Sequence, residues 1–187
     1  MTWHHNYGGA RTRVIALAVL ILLGGANLVL AAETFRNTIS GEELDLSKAE
    51  DGENPSAVKA FENTGKNPLN SDEQAIEKGK EEFLVACAGC HGHHAKGKIG
   101  PSLIDDYWTY PANANDKGLF ATIFGGARAQ MGPHYMSMTK TEMLESMAFI
   151  RSIYEGKASK AEWLDLAGKK ALLKKRKSEK SKTGDGA

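Results

Sequence analysis

Cys87-Ala88-Gly89-Cys90-His91 sets two thiols three positions apart with an imidazole directly behind the second. This C-x-x-C-H spacing is that of covalent c-type haem attachment. The two thiols can add to the two vinyl groups of one porphyrin. The histidine is then held where its ring reaches the iron as proximal ligand. A zinc site, a thioredoxin-like redox pair and an ordinary disulfide compete with this reading. Zinc takes four ligands, usually from two separated pairs, and the chain has only 2 cysteines. A redox pair wants a βαβ setting, and no run of alternating strand residues is visible. The chemistry is that of one covalent haem c, bound by Cys87 and Cys90 and ligated by His91.

A histidine on one side of the iron leaves a sixth position to fill. Met131, Met136, Met138, Met143, Met147 and His134 all follow at usable distances along the chain. Met143 and Met147 stand one helical turn apart behind a helix-start signal, which is the spacing of core packing. Met131 differs. Gly125-Gly126 precedes it, and Met131-Gly132-Pro133 holds it in a stiff loop able to present a thioether to the far haem face. It is preferred over Met136 and Met138, and His134 is the route to bis-histidine ligation. A thioether raises the potential relative to a second histidine, which suits an acceptor of electrons. His93 and His94 lie too close to the attachment loop for this role and read as surface or propionate-contacting residues.

The elements that must position these groups are helical. Asn70 or Ser71 can cap a helix reaching about Cys87, with Asp72 and Glu73 in its first turn. Ala75, Ile76, Gly79, Phe83 and Ala86 recur along one face. A glycine at position 79 costs about 1 kcal/mol relative to alanine, and the close approach of another helix would explain it. Thr139-Lys140-Thr141-Glu142 is a capping box opening a helix to about Gly156, whose Leu144, Met147, Ala148 and Tyr154 can face Gly79 and Phe83. Between them lie an Asp116–Phe124 helix ending at Gly125-Gly126 and loops containing Pro101, Pro111 and Pro133. The predicted fold is all-α, with terminal helices crossing and loops enclosing the haem in a domain over residues 71–168. Residues 33–70 read as an extended arm with a short helix near Ser56–Asn63, too poor in apolar residues for a core of its own.

Residues 1–32 have the layout of a signal peptide: Arg11 and Arg13, an apolar run from Val14 to Ala26, and small residues near Ala31 and Ala32. A retained anchor is the rival reading. Either implies export, and a periplasm is where c-type haem is attached. The chain carries 24 basic and 23 acidic residues, but unevenly. Residues 33–168 hold 14 basic and 21 acidic residues, a net of −7, whereas residues 169–187 hold eight basic and two acidic. The acidic body suits electrostatic docking to a basic partner, or is simply a solvated surface. The basic tail lacks aromatics and is expected to be mobile. It is able to touch anionic lipid, while nucleic acid does not fit a periplasmic address.

Several segments together resemble one family. These are Phe35-Arg36-Asn37-Thr38 with Gly41-Glu42, Cys-Ala-Gly-Cys-His-Gly-His, Gly97-Lys98-Ile99-Gly100-Pro101, Asp106-Tyr107-Trp108-Thr109-Tyr110-Pro111, the run Gly118 to Ala127, and Met131-Gly132-Pro133-His134. They are similar to the cytochrome c-L family, periplasmic electron acceptors of quinoprotein methanol dehydrogenase, from about Phe35 to Trp163. The basic tail departs from that pattern. The resemblance implies a class I cytochrome c fold, His91 and Met131 as axial ligands, and a Pro101 carbonyl accepting the free N–H of His91. Tyr107, Trp108 and Tyr110 then either line the haem and its propionates or cover the core. The implied role is that of a one-electron carrier, not an enzyme. It would take electrons from a PQQ-dependent methanol dehydrogenase and pass them to a downstream c-type cytochrome or oxidase. A carrier for another periplasmic dehydrogenase or oxidase, and a sensor or peroxidase with an open sixth site, remain as alternatives.

Overall fold

The computed structural model describes residues 1–3 and 33–183. The signal-peptide or anchor segment, with Arg11, Arg13 and the Val14–Ala26 run, lies outside the described residues. The chain divides into two units, Met1–Ala31 and Ala32–Ala187. Of the first only Met1, Thr2 and Trp3 are described, all exposed. The second holds every element below.

Helix α1 spans Pro55–Thr64, opened by the Asn54 side chain accepting from the Ala57 N–H and closed by Gly65 in the left-handed region at φ 65°. Both devices satisfy amides or carbonyls that a helix end leaves unpaired. Its buried face, Ala57, Val58 and Phe61, belongs to the main core. Phe61 lies 5.2 Å from Phe35 and 4.8 Å from Phe120, ring centre to ring centre. Residues 33–70 therefore supply Phe35, Ala49, Ala57, Val58, Phe61 and Leu69 to the core that the later helices share.

Helix α2 (Glu73–Ala86) is capped by Asp72, which accepts from the Gln74 and Ala75 amides, rather than by Asn70 or Ser71. Asn70 is engaged elsewhere: its amide donates to Asp116 and its oxygen accepts from Asn67. Ala75, Gly79 and Phe83 are buried as expected, Ile76 is half-buried and Ala86 is exposed. A short helical turn, α3 (Ala88–His91), follows at once. Helix α4 (Asp116–Gly125), capped by Asn115, is buried from Gly118 to Phe124 and ends at Gly126, φ 79°.

Helix α5 (Lys140–Ser152) opens with the expected capping box between Thr139 and Glu142. Two of its early amides, those of Lys140 and Thr141, donate to the Glu50 and Asp51 carbonyls of the arm, so the arm satisfies the helix start. The helix ends about a turn before Gly156. The amides of Glu155 and Gly156 donate to the Ile104 carbonyl instead of continuing the helical ladder. Helix α6 covers Leu166–Thr183, so the basic segment, expected to be mobile, is helical through Thr183. Its Arg176 donates to the carbonyls of Tyr154 and Gly156. Gly184–Ala187 lie outside the described residues. Among the described residues there is no strand, only an isolated antiparallel bridge between Arg36 and Glu43. No described helix is long and apolar enough to cross a membrane.

Helices α2 and α5 cross in backbone contact. A Cβ added at Gly79 would sit 1.8 Å from the Glu145 carbonyl oxygen and 2.2 Å from its carbon, and backbone at both sides cannot yield as a side chain would. Gly79→Ala is expected to destabilise the fold by about 3 kcal/mol, at the upper end of overpacking costs. A denaturant titration of the haem-loaded protein checks this. A midpoint equal to or above wild type contradicts the crossing.

Candidate functional site

Helix α2 stops at Ala86, and Cys87 takes the cap position, its amide donating to the Phe83 carbonyl. The Cys87 carbonyl then accepts from Cys90 and His91, 3.1 and 2.9 Å, which winds the pair and the histidine into one turn. The two cysteines form no disulfide with each other, and both line the same cavity. Burial pushes the Cys87 thiol up to about 11, helped by Cys90 and Glu82. The loop beyond folds back on this turn: Gly97 N–H donates to the His91 carbonyl, and Ile99 and Gly100 N–H to that of Cys90. A Cβ at Gly100 would meet the His91 ring at 2.7 Å. Only glycine lets this loop lie against the imidazole. The loop brings the Pro101 carbonyl to 2.8 Å from His91 Nδ1. A carbonyl only accepts, so Nδ1 carries the proton and Nε2 is the nitrogen with a free lone pair.

Met131 sits on another part of the cavity wall, in a closed loop. Ala127 N–H donates to the Met131 carbonyl at 2.9 Å, and Arg128 N–H to the Tyr110 hydroxyl at 3.1 Å. Gly126, at φ 79°, would place a Cβ 2.9 Å from the Met131 oxygen. Ala129 also has positive φ, 67°. Met138 and His134 line the cavity too. Burial, then the nearness of His91, holds the His134 imidazole below its ordinary range. Met136 is 76% exposed and off the wall, and Met143 and Met147 are fully enclosed in the core. His93 and His94 are exposed.

The cavity measures about 590 Å³, within the range of cofactor pockets. Its wall is mostly apolar, with Leu119, Ile123 and Ile150 among its members, and carries no Asp or Glu. Trp108 and Tyr110 line it; Tyr107 is 71% exposed and does not. Trp108 Nε1 and Ser146 Oγ are buried on this wall without a hydrogen-bond partner. An unpaired buried indole N–H is costly, and the carboxylate of a porphyrin propionate is a group that would satisfy it. The residues thus fit a haem: two thiols, an oriented imidazole, an apolar envelope and an orphan donor. Among the described residues no cluster of His, Cys, Asp or Glu could hold a metal ion by itself.

The family comparison agrees with this geometry. A sequence profile described as "Cytochrome C oxidase, cbb3-type, subunit III" matches residues 74–150. The chain is 51% identical to cytochrome c-L of Methylorubrum extorquens over 138 residues, 73% of this chain and 70% of that protein. The chain belongs to the cytochrome c-L family. The crystal structure of cytochrome cL from Methylophaga aminisulfidivorans is similar at TM-score 0.71 and 57% identity, covering 73% of this chain and 91% of that one. That of cytochrome cL from Hyphomicrobium denitrificans gives 0.68 and 46%, covering 75% and 84%. The fold is that of class I cytochromes c. This member of the cytochrome c-L family is an electron-transfer protein, not an enzyme, and carries one covalently bound haem c.

The residue least visible in the sequence is Arg151. Its guanidinium is 3.9 Å from the centre of the Trp163 ring and 5.2 Å from that of Trp108, a cation held against two aromatic faces. Nε donates to Asp116 and Nη2 to the Asn113 carbonyl. Burial draws the guanidinium down to about 10, opposed by Asp116. Burial pushes the Asp116 carboxyl up, opposed by Arg151 and by bonds from Asn67 and Asn70. Arg151 therefore backs the Trp108 wall of the haem cavity, a role with no local motif because its partners lie far along the chain. Removing the carboxylate leaves a buried cation uncompensated. Asp116→Ala is expected to cost about 3–5 kcal/mol in denaturant unfolding. A loss of under about 1 kcal/mol would show that the pair is not needed to hold Arg151 in place.

Proposed function

We propose that this cytochrome accepts electrons one at a time from a PQQ-dependent methanol dehydrogenase in the periplasm and passes them to a downstream c-type cytochrome or oxidase. The observation that carries the reading is the 57% identity to a solved cytochrome cL over 91% of that chain. The segments that carry the family resemblance also line the cavity, among them Trp108-Thr109-Tyr110 and Met131-Gly132-Pro133-His134. A haem supplies a reversible store for one electron. Cys87 and Cys90 would hold it by thioether bonds, and His91 would ligate the iron through Nε2 while Pro101 fixes its tautomer. Met131 is the proposed thioether ligand, because its loop is closed by the Ala127 amide and tied to Tyr110. Trp108 would donate its N–H to a propionate. A site that keeps the same ligands in both redox states needs little rearrangement when the electron arrives.

Charge supports the choice of partner chemistry. The net −7 of residues 33–168 lies off the cavity wall, where Arg128 is the one Lys, Arg, Asp or Glu side chain. Steering by distant carboxylates with a zone free of carboxylates at the cofactor is a common division of labour in fast association. The profile match to a cbb3-type oxidase subunit supports a second reading, an electron carrier for another periplasmic dehydrogenase or oxidase. Stopped-flow mixing of reduced methanol dehydrogenase with the oxidised, haem-loaded protein separates the two. Rapid, saturable haem reduction that slows as ionic strength rises is the expected result. No reduction beyond the rate with an unrelated quinoprotein overturns the methanol reading, and a rate indifferent to salt removes the steering role of the acidic body.

A further inference from the structure

We propose that the exposed side of α6 is a peripheral attachment surface for an anionic lipid bilayer. This goes beyond the electron-transfer reading and does not depend on the identity of the dehydrogenase.

The helix has 18 residues, about 27 Å of length at 1.5 Å per residue. Gly168, Leu172 and Arg176 recur every fourth position and are half-buried, so they mark the side turned to the body. Arg176 fixes that orientation, donating to the Gly156 and Tyr154 carbonyls at 2.7 and 2.6 Å. The opposite side is read off by the same periodicity: Leu166, Lys170, Leu173 and Lys177 follow at steps of four, three and four, and all are exposed. Lys174 adjoins them. Among the described residues, none of Lys170, Lys174, Lys175 and Lys177 makes an ion pair.

The composition of this stripe favours lipid over protein. Its cations are all lysines, compact point charges suited to a diffuse field of phosphates, whereas specific carboxylate recognition favours the planar fork of arginine. The one arginine of the helix spends its fork on backbone carbonyls. Trp, Tyr and Arg, the residues that dominate protein hot spots, are absent from the stripe. In their place stand Leu166 and Leu173, 80% and 51% exposed, two aliphatic groups among lysines that can enter the headgroup layer. Clusters of four to eight basic residues on a surface helix are the footprint of anionic lipid binding. The −7 body would be repelled by the same surface, so attachment through α6 turns the body away from the bilayer.

The test uses the exported, haem-loaded protein co-sedimented with vesicles of phosphatidylglycerol and phosphatidylcholine, and with vesicles of phosphatidylcholine alone. Binding to the mixed vesicles, lost at high salt and absent from phosphatidylcholine, is expected. Reversing Lys170, Lys174 and Lys177 to Glu should weaken it at least 100-fold, taking each lysine as worth roughly fivefold before the sign change. Leu173→Ser should weaken it several-fold. Unchanged Soret absorbance and helicity in both variants exclude unfolding as the cause. No binding by the wild-type protein, equal binding to both vesicle types, or undiminished binding by the triple variant overturns the proposal. If the triple variant binds vesicles as wild type does but is reduced more slowly by the dehydrogenase, the helix belongs to a protein partner and the lipid assignment is wrong.

Discussion

The contact of backbone with backbone at Gly79 sets the distance on which the other parts rely. With no side chain between them, α2 and α5 approach until the Glu145 carbonyl occupies the space a Cβ would need, and Phe83 and Phe149 pack beside the crossing at 5.3 Å. The C-terminal end of α2 then delivers Cys87, and the turn that follows delivers Cys90 and His91. Helix α5 contributes Ser146 and Ile150 to the same cavity, and its first turn is tied to the arm through Glu50 and Asp51. A shift of one helix would move the thiols relative to the wall that must enclose the porphyrin. Close packing leaves little room to absorb such a shift.

A second constraint is electrostatic. Arg151 lies between Trp108 and Trp163, Trp163 meets Tyr154 edge-on at 4.7 Å, and Arg176 sits over Tyr154 at 5.8 Å. Alternating cations and rings thus join α6 to the cavity wall. Arg151 is tolerable in the interior because Asp116 and the Asn113 carbonyl share its charge, and Asp116 in turn accepts from Asn67 and Asn70. Three segments far apart in the chain are held by this one network. One donor of the network, Arg151 Nη1, is buried without a hydrogen-bond partner, so the pairing is incomplete and the ring faces of Trp108 and Trp163 carry part of the burden of holding the cation.

Features governed by near neighbours were legible in the sequence. The capping box at Thr139, the α4 helix and its glycine end, and the helix approach at Gly79 all follow from residue types a few positions apart. Features decided by distant partners were not. Asp72 rather than Asn70 caps α2 because Asn70 is drawn to Asp116, and α5 stops short because the Ile104 carbonyl captures two amides. The arm, too polar for a core of its own, lends Phe35 and Phe61 to an aromatic cluster with Phe120, a partner its own sequence does not reveal. The basic segment, read as mobile from its composition, is helical because Arg176 finds two carbonyls on the body. At the site, the C-x-x-C-H spacing favoured haem attachment over zinc, a redox pair or a disulfide because the chain holds only 2 cysteines. The support of Arg151 behind Trp108 was invisible, as was the exposure of Tyr107, because neither depends on local sequence.

The proposed function turns on a haem held between His91 and the thioether of Met131. Its most direct measurement is the NMR spectrum of the reduced, haem-loaded protein with isotope-labelled methionine methyl groups. A methyl lying over the porphyrin is shifted far upfield by the ring current, so a ligating methionine identifies itself. One such upfield methyl, lost in Met131→Leu and kept in Met138→Leu, is the predicted result. An upfield methyl that survives Met131→Leu, or none in the wild-type protein, would contradict it.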